Sequence, residues 1–117
     1  MLFRSTSLDV SWCRNLTDAS IQAIAKHCPA LASLNLAGCR NWTDISIQAI
    51  AEHCPALTSL NMAACDNLTD ASIQAIAEHF PALTTLNVLA CIHMRNATSR
   101  GLIQDLKNTR PSLVVHD

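Results

Sequence analysis

The chain has 117 residues, a formal net charge of −1, an apolar half, 15% charged residues and only two glycines. That suffices for one compact core, is too short for two ordinary domains, and is too apolar for intrinsic disorder. No apolar run reaches the roughly 18 residues of a membrane-spanning helix, and the near-neutral balance removes the clustered cations that drive nucleic-acid binding.

Residues Met1–Leu8 lack the apolar stretch and small-residue cleavage site of a secretory signal. With no export signal, the six cysteines are expected as reduced thiols in a cytoplasmic or nuclear setting.

Internal repetition dominates the rest. Leu8, Leu34, Leu60 and Leu86 recur every 26 residues, and Cys13, Cys39, Cys65 and Cys91 keep the same step. So do Asp18, Asp44 and Asp70, and Pro29, Pro55 and Pro81. Residues 34–59 and 60–85 agree at about 19 of 26 positions, a strong period. Residues 1–7 read as a lead-in, with Ser5 in the place of Leu31. Residues 8–91 hold three regular repeats and the strand of a fourth, and 92–117 a modified C-terminal capping repeat. Pro111 lies 20 residues after Cys91, whereas Pro81 lies 16 after Cys65. A four-residue insertion is therefore expected between Ile92 and Arg100.

One unit predicts two elements. Over Ala32–Ala37 the alternation turns Leu34 and Leu36 inward and Ser33, Asn35 and Ala37 outward, as in a strand. Thr43-Asp44 then signals a helix start, with Asp18, Asp44 and Asp70 expected to cap their own helices. Ile47, Ile50, Ala51 and Cys54 form an amphipathic stripe, and Pro55 stops the helix. A single βα unit cannot bury its apolar face alone, so neighbours must stack, strand beside parallel strand.

The run Leu31-x-x-Leu34-x-Leu36-x-x-Cys39, followed by Trp42-Thr43-Asp44, Ile47-x-x-Ile50-Ala51 and Cys54-Pro55-x-Leu57, resembles the leucine-rich repeat of the cysteine-containing subtype. It is similar to the repeats of F-box/leucine-rich-repeat proteins, the substrate-recognition subunits of cullin-type ubiquitin ligases. Antagonist-of-mitotic-exit-network proteins and protist repeat proteins are further relatives. The resemblance implies an α/β solenoid, a horseshoe with parallel strands on the concave face, helices on the convex face and partner proteins bound inside the curve. The seven residues before Leu8 leave no room for an F-box, and family members usually carry more units and an N-terminal cap.

Several constellations suggest chemistry, and each has a plainer explanation. Four cysteines in register spread along a line, whereas metal ligands must converge on a point. They read better as small apolar plugs whose thiols bond to loop backbone. His27, His53 and His79 sit at helix ends, where a polar ring suits exposed carbonyls. Asn15, Asn41, Asn67 and Asn96 begin N-x-[ST] sequons, but the first three are explained by a turn asparagine and a cap threonine. A phosphate loop, HExxH and a nucleophile elbow are all missing, and repetition works against catalysis, which needs unlike groups at one place. No catalytic residue, metal or cofactor is therefore assigned.

Protein recognition remains. Asp9, Asn35, Asn61 and Asn87 are expected to form a polar row on the concave face, offering amide donors and acceptors. Trp12 and Leu89 add large apolar groups there, and Trp is a common hot-spot residue. The last unit is modestly basic through His93, Arg95, Arg100, Lys107, Arg110 and His116, expected mainly as a solvated cap. At the other end Leu8, Val10, Leu16, Ile21 and Ile24 are expected in a layer with nothing above it, beside an unpaired strand edge. Such an edge calls for a second copy, a partner protein or an upstream segment. The leading function is a substrate-recognition module of a ubiquitin-ligase adaptor. The alternatives are a structural subunit docking by its edges and, behind it, a metal- or redox-responsive protein.

Overall fold

The computed structural model describes residues 6–117. Among them five short strands alternate with four helices: β1 (Ser7–Asp9), α1 (Asp18–His27), β2 (Ser33–Asn35), α2 (Asp44–His53), β3 (Ser59–Asn61), α3 (Asp70–His79), β4 (Thr85–Asn87), α4 (Ala97–Thr109) and β5 (Val114–His116). All neighbouring strands are parallel and lie in chain order. Leu8, Leu34, Leu60, Leu86 and Val115 stand side by side. Stacked strands sit about 4.8 Å apart, whereas packed helices need about 8–10 Å. A stack with strands on one side and helices on the other must therefore curve, strands inside.

The core follows the sequence pattern. Leu34, Leu36, Leu60 and Leu86 from the strand side meet Ile47, Ile50, Ile73 and Ile76 from the helices in one continuous buried cluster. Trp42 and Leu68 fill equivalent loop positions and are fully buried. The helices stop at Cys28, Cys54, Phe80 and Arg110, each followed by a proline. Proline has no N–H and disfavours helical geometry in the residue before it.

Helix starts differ from the expectation. The caps are Thr17, Thr43, Thr69 and Asn96, whose side-chain oxygens accept from the N–H groups of Ser20, Ile45, Ala71 and Ser99. The aspartates reach instead to the next unit. Asp18 accepts from the Thr43 N–H and hydroxyl, both at 2.8 Å, and from the Ser46 hydroxyl. Asp44 repeats this with the Thr69 N–H at 2.9 Å, the Thr69 hydroxyl at 2.6 Å and the Ser72 hydroxyl. Asp70 takes the Ser99 hydroxyl. Ser46, Ser72 and Ser99 are fully buried, so the carboxylates satisfy groups that water does not reach. In α4 the corresponding position is Ala97; no further helix stacks on α4 among the described residues.

The last unit also departs from expectation. Only one inserted residue falls before the helix, where Ile92–Met94 forms a 3-10 turn. The other three lengthen α4 to 13 residues from the 10 of α3, nearly one extra turn over the end of the stack. After Leu113 the chain is one residue shorter than after Leu83, and it adds the strand β5 beside β4.

At the N-terminal end, Ser5 and the rest of residues 1–5 lie outside the described residues. Of the lead-in, the Thr6 carbonyl accepts from the N–H groups of Ala32 at 2.7 Å and Ser33 at 2.9 Å. Leu8, Val10, Leu16 and Ile24 are half-buried against the core. Ile21 is instead buried outright within the core cluster. It does not belong to an uncovered layer.

The aspartate relay makes two predictions. Asp44→Asn lowers unfolding free energy by about 2 kcal/mol in urea titration, because charge-assisted bonds into the next helix are weakened. Ala97→Asp, with no helix to serve, changes it by less than about 0.5 kcal/mol. For Asp18, burial pushes the carboxyl up, but the bonds from Ser46 and Thr43 outweigh it and hold the pKa below its ordinary value. Its stabilisation is therefore fully present above about pH 4 and lost as pH falls through the lowered value. Asp18→Asn removes that part of the acid-side decline in stability.

Candidate functional site

The concave face is built by the outward positions of the strands. Asn35, Asn61 and Asn87 each point their side-chain oxygen at the N–H two residues on, in Ala37, Ala63 and Leu89, at 3.0 Å. Asp9 does the same with Ser11, accepting from its N–H at 2.9 Å and its hydroxyl at 2.7 Å. The Ser11 hydroxyl and N–H hold the Asp9 carboxyl below its ordinary pKa, so it is ionised at neutral pH. Asn35 Nδ2 donates to Asp9 across the strands at 3.4 Å. Among the described residues the Nδ2 groups of Asn61 and Asn87 have no acceptor within the chain. The row therefore spends its oxygens internally and presents amide donors outward. His116 in β5 extends it by one position.

Past the strands the ladder continues through a turn. Trp12 N–H donates to Ala37 at 2.7 Å, Gly38 to Ala63 at 2.8 Å and Ala64 to Leu89 at 2.8 Å. Trp12, Gly38, Ala64 and Ala90 all take left-handed backbone angles, with φ of 62°, 73°, 57° and 60°. Glycine adopts this region without strain and a bulky aromatic does so at a cost. Trp12 nevertheless sits there with 66% of its surface exposed. Its ring lies flat over Gly38, so close that a Cβ on Gly38 would fall 2.2–2.6 Å from ring atoms. The glycine occurs in the one unit that follows the tryptophan, and it makes room for it.

Trp12 thus stands on the rim rather than among the asparagines. There it shares a groove of about 690 Å³ with Arg14, Gly38, Arg40 and Asn41. Sequence reading missed Arg14 and Arg40, since loop arginines carry no periodic signal. Leu89, at the far end of the face, is 47% exposed. The turn asparagines lace the rim: Asn41 Nδ2 donates to the Arg14 carbonyl, and Asn67 Nδ2 to that of Arg40 at 2.6 Å.

The cysteine column is structural. The thiols of Cys39, Cys65 and Cys91 donate to the carbonyls of Val10 at 3.1 Å, Leu36 at 3.2 Å and Met62 at 3.0 Å. Burial pushes the Cys39 and Cys91 thiols up, Cys54 to about 11 and Cys65 to about 12. For Cys65 the neighbouring Cys91 adds to this, and the Trp42 indole N–H beside the sulfur opposes it. Cys13, in the first unit, is exposed. Among the described residues no group of three or more His, Cys, Asp or Glu is placed to hold a metal ion.

The basic residues of the last unit divide. Lys107 pairs with Asp117 at 3.0 Å, and Arg110 donates to the carbonyls of Pro81 and Leu83 at 3.3 and 3.0 Å, bracing α4 against the preceding turn. Arg95 and Arg100 make no ion pair among the described residues.

The family described as Leucine Rich repeat matches residues 6–25 and 53–77. These are leucine-rich repeats. A solved structure, Leiomodin-1 Actin-Binding Site 2, is similar in fold, with a TM-score of 0.74 at 21% sequence identity. The alignment covers 96% of this chain and 70% of that one. No curated protein matches the chain.

The rim turn predicts opposite effects for two exchanges of the same pair of residues. Gly38→Ala costs more than about 2 kcal/mol in urea titration, since it adds left-handed strain and collides with the Trp12 ring. Ala64→Gly, which relieves the strain one unit on, raises stability by about 0.5–1 kcal/mol. For the thiols, a chromogenic disulfide reagent at pH 8 is expected to label only Cys13 rapidly in the native chain, and all six cysteines once it is unfolded.

Proposed function

We propose that this leucine-rich-repeat chain is a non-catalytic protein-recognition module that holds its partner on the concave face and rim. The reading is carried by one observation: an exposed Trp12, kept in a strained backbone conformation, stands beside a row of asparagines whose amide donors are unspent. Strain persists where the surrounding structure over-determines it, and such sites cluster where proteins bind. Groups repeated along a line do not converge as catalysis requires, which supports the non-catalytic part.

Within that class, we assign the role of substrate recognition in a ubiquitin-ligase adaptor, supported by the likeness of the repeats to those of F-box/leucine-rich-repeat proteins. Six cysteines without disulfides suit a reducing compartment, the cytoplasm or nucleus. The similar fold of Leiomodin-1 Actin-Binding Site 2 makes actin a second candidate partner. A structural subunit docking by its ends is favoured by the two outermost strands, where Leu8 and Val10 are half-buried and Val114 is 53% exposed.

Site-directed photocrosslinking tests the reading. A benzophenone side chain placed at Asn61 is expected to capture partner protein in cells, and one at Glu52 on the helix side is not. Capture of ubiquitin-ligase subunits or their substrates supports the adaptor role, and capture of actin supports the second candidate. Equal capture from both faces, or capture only from β1 or β5, contradicts recognition by the concave face.

A further inference from the structure

We infer that the rim groove of Trp12, Arg14, Gly38, Arg40 and Asn41 docks an acidic peptide segment, with carboxylates on the two guanidinium groups and an apolar side chain against the indole. The inference rests on the protein-recognition reading and assigns it a second, chemically distinct contact beside the asparagine row.

The indole is a prepared platform. Its backbone is locked by the bond from Trp12 N–H to the Ala37 carbonyl at 2.7 Å, and its ring is seated on the bare backbone of Gly38. An aromatic ring fixed in advance loses little entropy on binding. An equivalent Ala64 or Ala90 in later units offers no such surface, so the platform exists at one place in the stack.

The arginines give the platform its sign. Arg14 is exposed and makes no ion pair among the described residues. Arg40 uses its Nε toward Asp66 at 3.5 Å, with its side chain 67% exposed, which leaves the two terminal nitrogens of the guanidinium for another acceptor. Guanidinium groups bind carboxylates in a bidentate fork, and that geometry selects an acidic partner. The loops carrying both are held in register by Asn41 and Asn67, which donate to the Arg14 and Arg40 carbonyls. The volume of about 690 Å³ is within the range that accepts several side chains.

Nucleic acid fits less well. Aromatic platforms with arginine also bind single strands, but they need a cationic track along the phosphates. Here the ionised Asp9 lies on the adjoining face, Asp66 shares Arg40, and the chain has a net charge of −1.

Panning random nine-residue phage-displayed peptides on the whole chain tests this, followed by fluorescence polarisation with the best synthetic peptide. Enriched peptides are expected to carry neighbouring Asp or Glu residues beside an apolar one. Affinity is expected to fall about ten-fold or more in Arg14→Gln/Arg40→Gln and in Trp12→Gly, and to stay within about two-fold in Asn61→Ala/Asn87→Ala. Circular dichroism and urea midpoints establish that each variant is folded. Neutral or basic peptides, no enrichment, or an affinity unchanged in the arginine variant would overturn the inference. So would tighter binding of an oligothymidylate than of the peptide. Peptides lost only in the asparagine variant would also overturn it, while leaving protein recognition by the concave face standing.

Discussion

Each unit of this protein is completed by the one before it. The strand ladder is one part of that dependence, and the aspartate at the start of each regular helix is the other. Asp18 and Asp44 deliver their carboxylates to the next cap threonine and, with Asp70, to a buried serine in the next helix. A buried serine hydroxyl without a partner costs roughly 1–3 kcal/mol. A unit separated from its neighbour would therefore lose apolar cover and leave polar groups unsatisfied together. The register of 26 residues is enforced twice, by leucines that must lie side by side and by a carboxylate that reaches one place only.

This constraint shapes the ends and the binding surface. The last unit has no successor among the described residues, and its helix begins with Ala97 where earlier ones have aspartate. Three extra residues in α4, together with Arg110 bonded to the Pro81 and Leu83 carbonyls, cover the stack instead. Because helices take more room than strands, the stack curves and gathers the outward strand positions on its inner side. The asparagine row and the Trp12 rim follow from stacking: repetition supplies the row, and one departure from repetition supplies the tryptophan.

Much of this was legible in the sequence because the period is long and well kept. Leu34, Leu36, Ile47 and Ile50 declared their faces by spacing, and Pro55 declared the helix end. The destination of the aspartates was not legible: a carboxylate beside a cap threonine has the same spacing whether it serves its own helix or the next. The fifth strand was hidden because Val115 replaces leucine and one residue is missing after Leu113. The left-handed turn left a trace in Gly38, but Trp12, Ala64 and Ala90 at the same position concealed it. Arg14 and Arg40 lie outside every periodic pattern, and only folding brings them together under the indole.

The direct test is a urea titration, followed by far-ultraviolet circular dichroism, of the chain lacking residues 34–59. Deletion joins Ser33 to Leu60 as it was joined to Leu34, and offers Thr69 and Ser72 to Asp18. The account predicts a folded chain with one cooperative transition, at a lower midpoint and with a shallower slope than the full chain. A shortened chain that does not fold, or one as stable as the parent, would contradict it.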